Sequence, residues 1–478
     1  MLICVKYTFE KEDIHKEKKM NPRFGNDLTT GSIPKHLLNF SMPMLLGSLL
    51  QTGYGIINTI WVGNMVGPDA VGATQVSFPI QFLLIALSTG ATLATTILVS
   101  QYYGAGDHEM VEKVVNNSFS IALIFGVFLT IAGLLSCDFI LHMMNTPEEI
   151  FPMASSYLKI TLAGFILIFL INLITSILRG IGDTKTPLIF MAVGLSINAI
   201  LDPLLIIGVG PFPKLGLDGA AYASLIAQAI GFSLLLAYLN RKKHFVSINL
   251  RKLVLEKVLV IKILKLGFPS MIQQSLVSIG FAFIMGFVNN YGADATSAFG
   301  ASGRIEGVVF MPALSLGMAT SALTGQNLGA GKNDRVKEVF KWGIIMTSVI
   351  TLTLSAIIIA FPKLLLSMFL HEPAVLDIGT GYLRTLGFAY IFFAIMFIPS
   401  GIINGAGKTL VTMIITIVSL WVVRVPLAAL LSATSLGIRG IWLAIDCGFA
   451  VGMIASLAYY FSGKWKNIVL TQKGNVPK

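Results

Sequence analysis

Charge is scarce in this chain. Asp, Glu, Lys and Arg make up 12% of its 478 residues, about half the share of an ordinary soluble domain. Cysteine is scarcer still. Cys4, Cys137 and Cys447 are far apart and odd in number, so they describe neither a disulfide framework nor a zinc site. The histidines, His15, His36, His108, His142, His244 and His371, fall in tails, loops or the ends of apolar runs, and neither HExxH nor GxSxG occurs. An intramembrane hydrolase or metalloenzyme would place such groups within its spans. The chain therefore reads as no enzyme and as holding no cofactor. No repeated ring of filter residues points to a passive channel.

What is abundant is apolar. The residues AVILMFWYC reach 55% and glycine adds 46 positions, with a mean hydropathy of +0.80. A soluble protein cannot hide that much apolar side chain, because its surface needs polar cover. The expected fold class is an all-α polytopic membrane protein. The net charge of +11 forms no single basic stripe, so nucleic acid is not the expected partner. The basic residues lie between apolar runs, the pattern of cytoplasmic loops beside a lipid bilayer.

A helix needs about 20 mostly apolar residues to cross the hydrocarbon core. Twelve segments qualify: 36–64, 70–103, 113–136, 153–179, 186–209, 218–239, 261–290, 296–328, 338–361, 378–404, 409–431 and 438–462. Twelve spans put both termini on one side. Twenty-seven Lys and Arg fall on that side, against five on the other: Lys159, Lys214, Lys363, Arg384 and Arg439. The positive-inside rule makes both termini cytoplasmic, in the plasma or inner cell membrane. The polar stretch 1–34 lacks the apolar centre of a cleavable signal and reads as a cytosolic tail.

The halves repeat. QYYGAGDHEMVEKV from Gln101 matches QNLGAGKNDRVKEV from Gln326, and RGIGDT from Arg179 matches NGAGKT from Asn404, both at an offset of 225. LGLDG from Leu215 matches LGIRG from Leu436 at 221, and Pro43 pairs with Pro269 at 226. Each half holds six spans running in the same sense, a parallel repeat of two pseudo-symmetric six-helix lobes. The implied organisation is a tail (1–34), an N-lobe (35–240), a cytoplasmic linker (241–260), a C-lobe (261–463) and a second tail (464–478). A central cleft between the lobes would suit alternating access, and two lobes already complete it in a monomer. The GAGKT stretch from Gly405 resembles a phosphate loop, but Ile402 stands where that loop needs its first glycine. It reads as a turn.

A charge inside a span costs roughly 2.5–3.5 kcal/mol on insertion scales. Asp202 lies in SINAILDPLLIIG with Asn198 one turn before it, on the same helical face. Pro203 removes a backbone donor and frees a carbonyl. A carboxylate, an amide and a loosened backbone make oxygen ligands for Na⁺ or a proton site, or else simply a helix–helix hydrogen bond. Glu306 and Arg304 are two residues apart on one helix and so cannot pair with each other. Both are candidates for the substrate cleft, and Glu306 stands open between that role and a structural one. Arg424 and Asp446 read as a structural charge cluster of the C-lobe. Gln51, Asn58, Gln81, Asn172, Gln273 and Gln274 also fall within spans, where amides bind substrate or cross-link helices. The GxxxG pairs Gly303/Gly307 and Gly448/Gly452 read as close helix packing.

With the repeat, TGYGIINTIWVG from Thr52, RGIGDTKTP from Arg179, NAILDP from Asn198 and TGQNLGAGK from Thr324, the chain resembles the multidrug and toxic compound extrusion family from about residue 34 to 465. The resemblance implies efflux of small organic, often cationic and aromatic, molecules driven by a Na⁺ or H⁺ gradient. It also implies a coupling-ion site in the N-lobe. Asn198 and Asp202 match the family's amide and acid on the fifth helix, and Asn172 matches more loosely. Asn58 stands where many members carry an Asp, so it offers Na⁺ a carbonyl oxygen but cannot carry a proton. The C-lobe acids that another branch has on helices 7 and 10 are absent, which resembles the DinF-like side of the family. The alternative on the same fold is a flippase or exporter of an amphipathic or lipid-linked metabolite.

Overall fold

The computed structural model describes residues 25–241 and 254–466. Most of the expected N-terminal tail, the middle of the linker and the end of the second tail lie outside the described residues. Twelve long helical segments follow one another among them. In the first half they are α1 (Ile33–Met65), α2 (Pro68–Gly104), α3 (His108–Met143), α4 (Phe151–Ala163 continued by Phe165–Gly180), α5 (Lys185–Gly208) and α6 (Leu217–Arg241). In the second half they are α7 (Lys257–Asn289), α8 (Ala293–Gly329), α9 (Asn333–Ala360), α10 (Pro373–Gly405), α11 (Thr409–Ser432) and α12 (Ile438–Phe461). No strand occurs among the described residues.

Ten of these helices are long and apolar enough to cross a membrane, and α4 makes an eleventh if its halves, bent by 43° around Gly164, count as one span. The twelfth is α1. Its 33 residues would reach about 50 Å at 1.5 Å per residue, but Gln51, Thr52, Tyr54 and Asn58 interrupt its apolar run. Tyr54 and Asn58 return below as one wall of the site. Past Pro203, α5 ends in the π-helical turn Leu204–Gly208, as expected where a missing N–H leaves the carbonyl one turn back unpaired. A longer π-helical stretch, Ile417–Arg424, interrupts α11.

The repeated glycine motifs are helix ends. In each, the second glycine takes a left-handed φ: Gly106 (72°), Gly182 (84°), Gly331 (74°) and Gly407 (77°). The next residue's N–H then reaches back to a last-turn carbonyl, Asp107 to Tyr102, Asp183 to Leu178, Lys332 to Asn327 and Lys408 to Ile403, at 2.8–3.0 Å. This is the Schellman stop, which favours glycine for its φ. GAGKT is therefore a turn and not a phosphate loop.

Apolar cores show how the lobes meet. At the end of the molecule away from the termini each core belongs to one lobe. One joins Val62, Ala70, Leu158 and Leu217, the other Ile284, Phe299, Tyr390 and Trp442. At the end carrying the termini the cores are shared: Leu37 and Phe40 of α1 pack on Leu316 and Leu323 of α8, and Ile97 and Leu98 of α2 belong with Leu259 and Ile263 of α7. The lobes are thus joined at the tail end and separate beyond it. Gly303 and Gly307 of α8 face open space, so that GxxxG pair lines an open face and does not mark close packing. Gly448 and Gly452 do pack closely, against Arg424, Ser419 and Met396.

Candidate functional site

Asp202 is fully buried in the last α-helical turn of α5. One turn earlier on the same face, Asn198 donates its Nδ2–H to Asp202 Oδ1 at 2.8 Å. From α1, the Tyr54 hydroxyl donates to Asp202 Oδ2 at 3.0 Å. Each carboxylate oxygen is therefore held, one by its own helix and one by another. Tyr157 of α4 lies within electrostatic reach of the acid and beside Gln81 of α2. Asn58 follows Tyr54 by four residues and so shares its face of α1. Its Oδ1 is buried with no hydrogen-bond partner, an oxygen available to a cation.

Sequence reasoning found Asp202 and Asn198 but not the two tyrosines. Tyr54 carried a usable signal, its one-turn spacing from Asn58. Asn172 is not brought to Asp202: it donates to Ser88 Oγ at 2.9 Å, tying α4 to α2. Gln273 is likewise tied, donating to Thr416 Oγ1 at 2.9 Å. Gln51 is exposed and Gln274 half-buried.

In the C-lobe, Tyr382 of α10 donates to Glu306 Oε2 at 2.8 Å. Arg424 of α11 lies over the Phe449 ring at 4.3 Å, within electrostatic reach of Glu306 and Asp446. The ion pairs between described residues join Lys113 to Glu109, Lys159 to Asp138, Lys337 to Asp334 and Lys363 to Asp377, none of them in this cluster. Arg424 Nε, Asp446 Oδ1 and the Tyr390 hydroxyl are buried without partners. Arg304 points elsewhere, exposed and 5.7 Å from the Phe369 ring centroid.

The seam at the tail end is built from the repeat itself. Gln101 of α2 donates to the Gly405 carbonyl of α10 at 2.8 Å. Its counterpart Gln326 of α8 donates to the Gly180 carbonyl of α4 at 3.0 Å. A Cβ on Gly104 would collide with the Gln326 carbonyl, and one on Gly329 with the Gln101 carbonyl. Residues 25–31 lie across this seam. Asn26 bonds to the Ile181 and Gly182 carbonyls of the N-lobe at 2.9 and 2.8 Å. The Leu28 N–H donates to Gln326 Oε1 at 3.0 Å, and Asn327 donates back to the Leu28 carbonyl at 3.1 Å. Burial opposes ionisation of Asp27 in this strap. Hydrogen bonds from Thr29 and Thr30 and the charge of Lys332 outweigh it, and they hold the carboxyl below its usual range.

Among the described residues no group of three or more His, Cys, Asp or Glu could hold a metal ion. The N-lobe site offers instead a single acid with hydroxyl and amide neighbours, and the C-lobe site two acids around an arginine.

Comparison with known proteins gives a consistent picture. A family profile described as MatE matches residues 43–204 and again 269–430, two stretches set apart by the same interval as Pro43 and Pro269. The chain is 34% identical over 466 residues to "Probable multidrug resistance protein YoeA" of Bacillus subtilis, covering 97% of this chain and 98% of that one. It is 26% identical over 445 residues to "FAD transporter" of Shewanella oneidensis, covering 92% and 96%. Among solved structures, a MOP superfamily transporter from Pyrococcus furiosus superposes with a TM-score of 0.86 at 28% identity, over 92% of this chain and 98% of that one. A multidrug resistance MATE family transporter in an outward-facing conformation gives a TM-score of 0.84 at 28% identity, over 92% and 97%.

Proposed function

Because this chain belongs to the MatE family of multi-pass membrane transporters, we propose that it is a Na⁺- or H⁺-coupled antiporter. Its cargo would be organic, cationic or aromatic compounds, exported by alternating access. The observation that carries the reading is Asp202, a carboxylate with no exposed surface, bonded both to its own helix and to Tyr54 of α1. A cation or proton that occupies it must compete with or rearrange those bonds, which changes how α1 sits on α5. With the termini cytoplasmic, as the positive-inside count supports, the cleft opens outward. Cation entry from outside would then be the step that lowers drug affinity and releases the drug.

By linkage, drug and cation weaken each other's binding by the same factor. Saturating drug that left Na⁺ and H⁺ affinity untouched would overturn this mechanism. The direct test is uptake of ethidium into liposomes holding the purified protein, under an imposed Na⁺ gradient and then a proton gradient, with Asp202→Asn alongside. Gradient-driven uptake lost in the variant is the expected result and names the ion. The similarity to a protein named as an FAD transporter favours one second reading, an amphipathic metabolite as cargo. No ethidium uptake under either gradient would support it.

A further inference from the structure

The C-lobe carries the counterpart of the N-lobe pocket with its charges rearranged. α2 and α8 are both 37 residues long and match end to end at the repeat offset, which places Glu306 on Gln81. The same offset places Tyr382 of α10 on Tyr157 of α4. The pairings agree in space: Tyr157 lies beside Gln81, and Tyr382 hydrogen-bonds Glu306. Between Arg179 and Leu215 the offset falls from 225 to 221, so Arg424 maps onto the 199–203 stretch that contains Asp202. In one lobe the acid stands on α5. In the other it stands on α8, opposite an arginine, and Asp446 of α12 adds a second carboxylate.

The charge count of this cluster does not close. Glu306, Asp446 and Arg424, all ionised, sum to one negative charge inside a membrane span. Its hydrogen bonds do not close either. The Tyr390 hydroxyl is fully buried, stands within electrostatic reach of both acids, and has no partner, like Asp446 Oδ1 and Arg424 Nε. Among the described residues no other charge faces the group. Arg304, Arg384 and Arg439 are exposed, and Lys363 is paired with Asp377. On the packed neighbours α7 and α9 every charged residue falls in the early turns, none beyond Lys265 and Lys341. A guanidinium in the cluster disfavours a metal cation. A proton is the ligand that neutralises the charge and also supplies a missing donor.

We propose that Glu306 and Asp446, with Arg424, Tyr382 and Tyr390 around them, form a second loading site that takes one proton per transport cycle, in addition to the cation at Asp202. The proton comes from the solution filling the cleft and forms an O–H bond on one of the two carboxylates, leaving the cluster neutral. Drug binding expels it. This rests on the export reading above and extends it to a two-cation exchange, one cation in each lobe.

The test counts protons. Wild-type protein in nanodiscs, in weakly buffered Na⁺-free medium with a pH dye, is mixed with tetraphenylphosphonium at a series of pH values. The expected result is that Glu306→Gln/Asp446→Asn releases about one proton fewer per transporter than the wild type at the pH of maximal release. Asp202→Asn keeps that C-lobe share. Unchanged release in the double variant overturns the proposal. So does drug-displaceable ²²Na⁺ binding in Asp202→Asn that the double variant abolishes. If Asp202→Asn releases as much as wild type while the double variant releases none, Asp202 exchanges no proton with drug and the C-lobe site stands. The Asp202 reading then fails only if drug-displaceable ²²Na⁺ binding is also the same in Asp202→Asn as in wild type. Tyr390→Phe covers the case of a misfolded double variant. It should move the midpoint of release along the pH axis with the number of protons unchanged, and an unmoved midpoint counts against the site.

Discussion

Gln101 and Gln326, counterparts in the two halves, each hold the opposite lobe. One donates to the carbonyl of Gly405 and the other to that of Gly180, and those glycines are themselves counterparts. The crossing is a consequence of the pseudo-twofold: whatever α2 does to α10, α8 does to α4. The symmetry is broken at the second atom of each amide. Gln326 Oε1 accepts the Leu28 N–H, whereas Gln101 Oε1 is buried without a partner. The strap therefore makes the Gln326 half of the seam the stronger one.

Truncating these side chains should open the tail end unequally. Gln101→Leu removes one hydrogen bond, about 1 kcal/mol or roughly a fivefold shift toward the opened state. Gln326→Leu removes a bond and strands the buried Leu28 N–H, so its effect should exceed that of Gln101→Leu severalfold. A cysteine replacing the buried Ser321, in a background lacking native cysteines, reports opening by its labelling rate with a charged maleimide. Equal rates in the two variants would contradict the asymmetry.

Tyr54 joins α1 to the acid on α5, so Tyr54→Phe should leave a site that still binds but no longer informs its neighbour. A hydrogen bond to a charged group is worth about 1.5–3 kcal/mol. The factor by which saturating cation weakens drug binding should accordingly shrink about tenfold or more. Drug Kd measured with and without the coupling ion, in wild type and variant, checks it. A variant with normal coupling and merely weaker drug binding would make Tyr54 a packing residue.

What could be read along the chain depended on whether partners lay on one helix. Asn198 and Asp202 are four residues apart, so helical spacing alone brought them together, and the bond is there. Tyr157 reaches the same site from another helix, and no local pattern announces it. Tyr54 offered only its one-turn spacing from Asn58. The glycine turns were legible because a left-handed residue and a reversal of the chain are local matters. The role of Gln101 and Gln326 was not, although both stood in the clearest repeat, because each bond spans the two lobes. GxxxG was ambiguous for a physical reason: removing a side chain serves a helix that must approach another and equally a helix that borders open space.

That ambiguity gives a stability contrast. Gly448→Ala would place a methyl against Arg424, within 2.7 Å of its Nε, and overpacking of this kind costs about 1–3 kcal/mol. Gly303→Ala and Gly307→Ala meet nothing within 4 Å and should stay within about 0.5 kcal/mol of wild type. Thermal unfolding of the three variants in the same detergent, followed by tryptophan fluorescence, separates them. Comparable losses in all three would mean that α8 packs along that face after all.

The strap should respond to acid through Asp27. Its carboxylate accepts the Thr29 N–H at 2.8 Å and the Thr29 and Thr30 hydroxyls at 2.7 and 3.0 Å, bonds that favour the ionised form. A carboxyl held below its usual range in the docked strap stabilises docking at every pH above that range. The contribution then fades as pH falls through the docked value, because the released strap binds its proton first. Hydrogen exchange across residues 25–32, corrected for the intrinsic pH dependence, should show strong protection at neutral pH that weakens below about pH 4. Asp27→Asn should exchange faster than wild type at neutral pH and converge with it in acid. If the two differ by the same factor at both pH values, the carboxylate's charge is not what holds the strap. Its other bonds, those of Asn26 and Leu28 and those from Lys332 and Arg335 to the Thr29 and Gly31 carbonyls, then carry it.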